Sequence, residues 1–147
     1  MKITVIGPGA IGLLLAGSLD SKNQVSVLTK PEAYEKLKKN GLWIKERNKK
    51  RKINAKIITE IDDSEIVIIA VKGYDLDSAV NLLHNFKGKV IICQNGLKML
   101  NLNLEHNNNI YSIVTSMGAI STNNGVTEFK GTGRTVLGSL NLSLIHI

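Results

Sequence analysis

The chain contains little of the material that disulfide-stabilised or low-complexity proteins require. Its 147 residues include one cysteine and two prolines. A single cysteine excludes a disulfide framework within the chain and fits a reducing compartment, so we expect a cytoplasmic location. Cys93 ends the apolar run KVIIC, which predicts a buried structural thiol rather than a nucleophile. With few prolines and no low-complexity segment, long disorder is not expected.

Long apolar runs are missing as well. The N-terminus passes from Met1 and Lys2 into the apolar stretch Ile3–Ile6, which is too short for the core of a secretory signal or for a membrane span. We therefore expect no secretory signal and no membrane partner. Hydrophobic residues nevertheless make up 43% of the chain, which at this length suffices for one domain with a hydrophobic core.

Positive charge is plentiful but confined to one segment. The net charge is +7, and the stretch KERNKKRKINAK, Lys45–Lys56, carries seven Lys and Arg against one Glu. Apolar residues on both sides of it alternate with polar ones: Leu42, Ile44, Ile53, Ala55 and Ile57. This pattern predicts a β-hairpin with a solvated basic tip, with a phosphate-tracking patch as the alternative. Because no aromatic residue is interleaved with the charges, we expect no nucleic-acid partner.

Strands and helices alternate along most of the chain. Apolar runs predict strands at Ile3–Ile6, Val25–Leu28, Glu65–Val71 and Lys89–Cys93, and another in NIYSIVTS. Helices are predicted after the first strand, from Pro31 to a stop at Gly41, from a cap at Asp75, and over Leu97–Leu104. GVTEFKG and GRTVLGS predict two short strands joined around Gly131 and Gly133. The alternation predicts an α/β fold with a mainly parallel sheet and flanking helices.

The first predicted turn carries the strongest functional signal. Its sequence is Gly7-Pro8-Gly9-Ala10-Ile11-Gly12, a G-x-G-x-x-G between a strand and a helix. Gly7 would allow the tight turn, Gly9 would let the backbone approach a pyrophosphate, and Gly12 would let the helix pack closely. The helix N-terminus would offer unpaired N–H groups to the phosphates. This pattern predicts a Rossmann-type dinucleotide site, and a tight turn without a ligand is the alternative.

The end of the second predicted strand indicates which dinucleotide binds. An NAD-specific site usually places Asp or Glu there, for the ribose 2′-hydroxyl. Here Thr29 and Lys30 occupy the position. A cation without a carboxylate favours a 2′-phosphate, and hence NADP, although a lysine lacks the bidentate fork of an arginine. In the alternative, Lys30 is a surface lysine and Glu32 binds the ribose.

Two more polar residues are predicted at the same edge of the sheet. Lys72 follows the strand IVIIAV, and Asn95 follows KVIIC after one residue. Ligands of open α/β sheets lie beyond the carboxyl ends of the strands. A lysine there can bind ribose or carboxylate oxygens, and an asparagine can bind a carboxamide or a hydroxyl. No histidine has a partner that suggests a metal site or a catalytic pair.

A family resemblance emerges from four motifs. MKITVIGPGAIG, AVKGYD, CQNGL and GTGRTVLG follow one another in the order and rough spacing typical of ketopantoate reductases, the 2-dehydropantoate 2-reductases. The resemblance covers residues 1–138 and implies reduction of ketopantoate to pantoate with NADPH, on the route to pantothenate and coenzyme A.

The resemblance also implies roles for individual residues. Gly7–Gly12 would cradle the NADPH pyrophosphate, and Lys30 stands where the family often has an arginine for the 2′-phosphate. Lys72 would contact the ribose region, and Asn95 would lie near the nicotinamide and the substrate. The backbone around Ala119, in SMGAIS, would flank the nicotinamide.

The resemblance further implies a second, helical domain that supplies the catalytic lysine and part of the substrate site. We expect residues 1–138 to be the dinucleotide-binding domain and residues 139–147 to be a tail of uncertain origin. No catalytic residue is assigned in this chain, which should turn over poorly alone and could form a homo-oligomer. The alternatives are a related dehydrogenase for another 2-keto or 3-hydroxy acid, and a non-enzymatic nucleotide-binding module.

Overall fold

The chain folds into two β-sheets with helices packed against them. The computed structural model describes residues 1–95, 109–122 and 124–140. The strands of the described part are β1 Lys2–Ile6, β2 Gln24–Leu28, β3 Trp43–Glu46, β4 Lys49–Lys52, β5 Ala55–Ile58, β6 Ile66–Ile69, β7 Lys89–Cys93, β8 Ile110–Thr115, β9 Gly118–Thr122, β10 Val126–Gly131 and β11 Thr135–Ser139. Its helices are α1 Ala10–Leu19, α2 Pro31–Asn40 and α3 Leu76–Asn81, with a 3-10 turn at Gly73–Asp75. The helix predicted over Leu97–Leu104 and most of the tail predicted at 139–147 lie outside the described residues.

The larger sheet has the strand order β11-β8-β7-β6-β1-β2-β5. From β5 to β8 all neighbouring strands are parallel, and β11 is added antiparallel to β8. The chain therefore runs outward from β1 to β2 and β5, then returns to β6 on the other side of β1. This is the strand order of a Rossmann sheet, and the predicted α/β class is confirmed. The order reverses between β1 and β6, where such sheets open a ligand crevice.

The strand register aligns the ends of the central strands. Ile6, the last residue of β1, lies opposite Leu28 of β2 and Ile69 of β6. The residues that follow these three strands therefore leave the sheet at one level. Any polar group placed directly after them lies at the mouth of the crevice.

Helix α1 is buried on more than one side. Residues 12–17 are all buried, which is more than the spacing of Ile11, Leu14, Leu15 and Leu19 requires. The reason is the second sheet, in the order β4-β3-β10-β9, which packs on the outer side of α1. Helix α3 covers the other face of the large sheet, with Leu76 and Val80 in a separate core cluster.

The basic segment forms part of this second sheet. β3 and β4 make an antiparallel hairpin, and Arg47 at its turn has φ 52°. A hairpin is therefore confirmed, but the basic residues are not only its tip, because Lys49–Lys52 is the whole of β4. The prediction for the residues after it is wrong: Ala55–Ile58 leaves the hairpin and pairs with β2 in the large sheet.

An ion pair ties the hairpin to α1. Arg51 Nη1 donates to Asp20 Oδ2 at 2.9 Å, and its Nη2 donates to the Gly17 carbonyl oxygen. The Asp20 side chain is 4% exposed and also accepts the Asn54 N–H at 2.8 Å. Arg51, one of the cations of the basic segment, thus holds the hairpin against α1.

Asp62 fastens the loop before β6 to the sheet. Its carboxylate accepts hydrogen bonds from Thr4 Oγ1 at 2.9 Å, from Ser26 Oγ at 2.7 Å and from the Ser64 hydroxyl. Partial burial opposes the charged form, but these hydrogen bonds and the charge of Lys56 outweigh it, so the pKa of Asp62 lies below its ordinary value.

This depressed pKa predicts a loss of stability in acid. A carboxyl whose pKa is lower in the folded state stabilises the fold above its unfolded value near 3.8, and the stabilisation disappears as the pH falls further. Asp62→Asn should cost about 1 to 2 kcal/mol of unfolding free energy at pH 7. The variant should also show a flatter stability curve below the ordinary carboxyl pKa, as measured by urea denaturation across pH. An unchanged acid slope would contradict this account.

Candidate functional site

The glycine turn leaves β1 at the switch point of the sheet. Gly7 has φ +104°, a conformation that favours glycine, and its N–H donates to the Leu28 carbonyl at 3.1 Å. A Cβ built on Gly12 would lie 1.9 Å from the Gly7 carbonyl oxygen. The predicted conformational role of Gly7 and the predicted packing role of Gly12 are therefore confirmed.

Gly9 has a different environment. It is exposed, and a Cβ built on it would meet no atom of the described residues within 4 Å. Nothing inside the protein requires a glycine here, because its φ of −78° is open to any residue. Gly9 precedes α1, whose first N–H groups have no acceptor within the helix. The small sheet contacts the first residue of α1, since the Ala10 carbonyl accepts a hydrogen bond from Thr127 Oγ1 of β10 at 2.9 Å.

Lys30 follows β2, the neighbour of β1 in the sheet, and it is paired with an acidic side chain. Its Nζ contacts Asp75 Oδ1 at 3.1 Å, with the two side chains 72% and 29% exposed. The hydrogen bond and the charge of Asp75 raise the pKa of Lys30. Asp75 makes no side-chain cap to α3, so the predicted capping role is wrong: the carboxylate turns toward Lys30.

Lys72 stands on the other side of β1, after β6. It is exposed, and its Nζ lies 5.9 Å from the centroid of the Tyr74 ring, which is itself 72% exposed. Gln94, directly after β7, donates a hydrogen bond from its side-chain amide to the Val71 carbonyl. This hydrogen bond joins the ends of neighbouring strands and steadies the segment that carries Lys72.

Asn95 and Ala119 lie further along the edge. Asn95 is exposed, and its Nδ2 donates to the Thr115 carbonyl at 3.3 Å, so its position is tied to the end of β8. Ala119 lies in β9, opposite Phe129 of β10 in the small sheet. The structure thus brings the glycine turn, Lys30 and Lys72 together around β1, while Asn95 follows β7 and Ala119 belongs to the second sheet.

Sequence reasoning missed three residues at this edge: Tyr74, Asp75 and Arg134. Arg134 reaches it because β11 runs antiparallel and begins where the parallel strands end. Its carbonyl accepts the Ser116 N–H at 2.9 Å, and its own N–H donates to Ser116 Oγ at 3.0 Å. The available signals were the aromatic and the acid that follow Lys72 and Gly73 in KGYD, and the arginine before the last strand.

Other predicted features can be placed as well. Cys93 is buried, and burial raises the pKa of its thiol, so the structural assignment is confirmed. In the described part of the chain, no group of three or more His, Cys, Asp or Glu side chains is placed to hold a metal ion. Nor does any helix within the described ranges have the length and apolarity needed to cross a membrane.

Together, the strand order, the switch point and the glycine turn define a Rossmann-type domain. Residues 3–141 match the family model described as ketopantoate reductase PanE/ApbA, and the chain belongs to this family.

Individual relatives agree with this assignment. The chain is 32% identical over 143 residues to the 2-dehydropantoate 2-reductase of Pyrococcus horikoshii, covering 94% of this chain and 47% of that protein. It is 29% identical to the enzyme of the same name from Listeria monocytogenes, covering 100% of this chain and 54% of the relative. The chain therefore spans about half the length of the curated relatives it matches.

Solved structures show the same fold. A crystal structure from Bacillus subtilis is described as a probable 2-dehydropantoate 2-reductase and superimposes on this chain with a TM-score of 0.86 at 22% identity. The match covers 96% of this chain and 50% of the Bacillus subtilis chain. At this identity the likeness establishes the fold and nothing more.

Proposed function

We propose that this chain is the dinucleotide-binding half of an NADPH-dependent 2-dehydropantoate 2-reductase. The observation that carries the proposal is the glycine turn. Gly7 and Gly12 are required by the fold itself, whereas Gly9 is exposed in open space beside the start of α1. A glycine that the fold does not need, next to unpaired helix N–H groups, is suited to the close approach of a pyrophosphate. Family membership supports the reaction.

The residues around the turn have distinct proposed roles. Gly7–Gly12 would hold the pyrophosphate, Lys30 the 2′-phosphate and Lys72 the ribose region. Asn95 would contact the nicotinamide and the keto acid, and the backbone at Ala119 would flank the nicotinamide ring. Side-chain hydrogen bonds steady two parts of this arrangement, from Gln94 beside Lys72 and from Asn95 to the end of β8.

The proposed reaction reduces the keto group of 2-dehydropantoate to a hydroxyl. A bound reduced nicotinamide would supply the hydride, and the oxygen must then receive a proton from a nearby acid. We assign no described residue as this acid. We therefore propose that the proton comes from a group beyond the described residues, and that this chain alone has little or no turnover.

We also propose that residues 1–138 form the cofactor domain. An exposed apolar pair on one face at the end of the large sheet supports an additional covering element, since Val114 of β8 and its partner Val136 of β11 are 48% and 62% exposed. The cytoplasmic location, the homo-oligomer and the absence of a nucleic-acid partner stay predictions.

Calorimetric titration of the chain with NADPH and NADH tests the proposal. We expect one saturable site with a tighter Kd for NADPH, because Lys30 adds a cation at the ribose. We also expect no consumption of NADPH when 2-dehydropantoate is added to this chain alone. Equal Kd values would overturn the assignment of NADP. Failure of both dinucleotides to bind would overturn the function.

A further inference from the structure

The ion pair between Lys30 and Asp75 spans the end of β1. Lys30 follows β2 and Asp75 follows β6, and these strands flank β1 on either side. The pair therefore lies across the point from which the glycine turn emerges. It joins groups that are 45 residues apart in the sequence.

Both partners are held by fixed backbone. Lys30 is the N-cap of α2 and precedes Pro31. Asp75 closes the 3-10 turn, and its N–H donates to the Lys72 carbonyl at 2.9 Å. With both backbones anchored, the Asp75 carboxylate stays near the Lys30 side chain, which is 72% exposed and so is also open to a ligand.

The ion pair changes the net charge at the position proposed for the ribose of the dinucleotide. Lys30 alone offers one positive charge, whereas Lys30 with Asp75 is neutral as a unit. A 2′-phosphate carries about −1.5 to −2 charges at pH 7 and would meet a carboxylate about 3 Å from its cation. A 2′-hydroxyl has no such conflict, because it can donate a hydrogen bond to a carboxylate.

We propose that Asp75 is a specificity-determining residue that competes with the 2′-phosphate for Lys30 and so limits the preference for NADPH over NADH. The inference rests on the proposed function, since it requires a nicotinamide dinucleotide at the glycine turn. Asp75 supplies from β6 the kind of carboxylate that NAD-specific sites carry after the second strand. The unsubstituted chain should therefore prefer NADPH only modestly.

The decisive variant is Asp75→Asn, which keeps the shape of the side chain and removes its charge. Lys30 then keeps only the weaker charge interaction with Glu32 among its acidic neighbours in the described structure, and we expect the Kd for NADPH to fall about tenfold. The Kd for NADH should change less than about threefold, since an amide oxygen still accepts a hydrogen bond. The gain for NADPH should shrink in high salt, because the pair is exposed.

Two matched variants complete the experiment, each checked by its urea unfolding midpoint. Asp77→Asn removes a charge two residues away and should leave both Kd values within about twofold. Lys30→Gln should abolish the preference for NADPH and so shift the ratio of Kd values in the opposite direction. If Asp75→Asn is destabilised, Asp75→Ser replaces it, because it removes the same charge with a smaller side chain and should raise the NADPH preference in the same direction.

Three outcomes decide the proposal. A raised NADPH preference in Asp75→Asn, with Asp77→Asn unchanged, supports it. If both dinucleotides bind but Asp75→Asn leaves the ratio of their Kd values unchanged, the inference fails and the proposed function stands. If neither dinucleotide binds the unsubstituted chain, the proposed function itself fails, and the role of Asp75 fails with it.

Discussion

Gly12→Ala is expected to lose about 3 to 5 kcal/mol of unfolding free energy, a large part of the stability of a typical domain. The added Cβ would lie 1.9 Å from the carbonyl oxygen of Gly7, and that oxygen belongs to a backbone turn rather than to a flexible side chain. Relief would require α1 to move away from β1. Because α1 is enclosed between the two sheets, such a shift would disturb the packing on both of its sides. Urea denaturation followed by circular dichroism measures the loss.

Gly9→Ala is the matched control, because it adds the same methyl group three residues earlier. The added Cβ meets no atom within 4 Å in the part of the chain that the structure describes, so stability should change by less than about 1 kcal/mol. Under the proposed function the same methyl obstructs the pyrophosphate. The Kd for NADPH should then rise about tenfold or more, equal to about 1.4 kcal/mol of binding free energy or more.

The two variants thus separate folding from binding within one motif. A Gly12→Ala protein as stable as the unsubstituted chain would contradict the close packing of α1 on the turn. A Gly9→Ala protein that binds NADPH with unchanged affinity would contradict the approach of a dinucleotide at this glycine.

Arg51→Met is expected to destabilise the chain by about 2 to 4 kcal/mol, below the largest values for buried pairs because Arg51 is half exposed. The substitution retains the apolar stem of the side chain. It leaves the Asp20 carboxylate, which is 4% exposed, with the Asn54 N–H as its remaining hydrogen bond in the described structure. It also removes the hydrogen bond from Arg51 to the Gly17 carbonyl near the end of α1.

Lys49→Met is the control for this prediction. Lys49 belongs to the same strand and carries the same charge, but it is exposed, so its loss should change stability by less than about 0.5 kcal/mol. The double variant Asp20→Asn with Arg51→Met should recover part of the loss, because the buried charge is gone as well. Equal stability of Arg51→Met and Lys49→Met would show that the ion pair does not hold the hairpin on α1.

The central part of the fold could be predicted because its signals are local. β1 and β6 are buried on both faces, and this is why they appear in the sequence as nearly continuous apolar runs. Pro31 and Gly41 mark the two ends of α2 by backbone preferences that act within a few residues. The glycine turn is also recognisable from local sequence. The backbone at position 7 has a positive φ, and position 12 lies too close to the Gly7 carbonyl for a side chain, so both positions require glycine.

The second sheet was harder to predict. β9 is a short strand with partly exposed residues, and it was not predicted. β10 pairs with both β9 and β3, and the partner β3 lies more than 80 residues earlier in the chain. No local pattern specifies such a pairing. The two strands predicted around Gly131 and Gly133 exist, but they enter different sheets.

The sequence by itself determined the class of fold, the position of the glycine turn and the family, because each depends on residue types at short, regular spacings. Only the tertiary structure decided what surrounds that turn. In the structure, α1 is enclosed between two sheets and Arg51 pairs with Asp20. Asp75, expected to cap a helix with its side chain, forms an ion pair with Lys30 instead. These are contacts between distant segments, and they arise from strand order and register, which the spacing of residues along one strand does not contain.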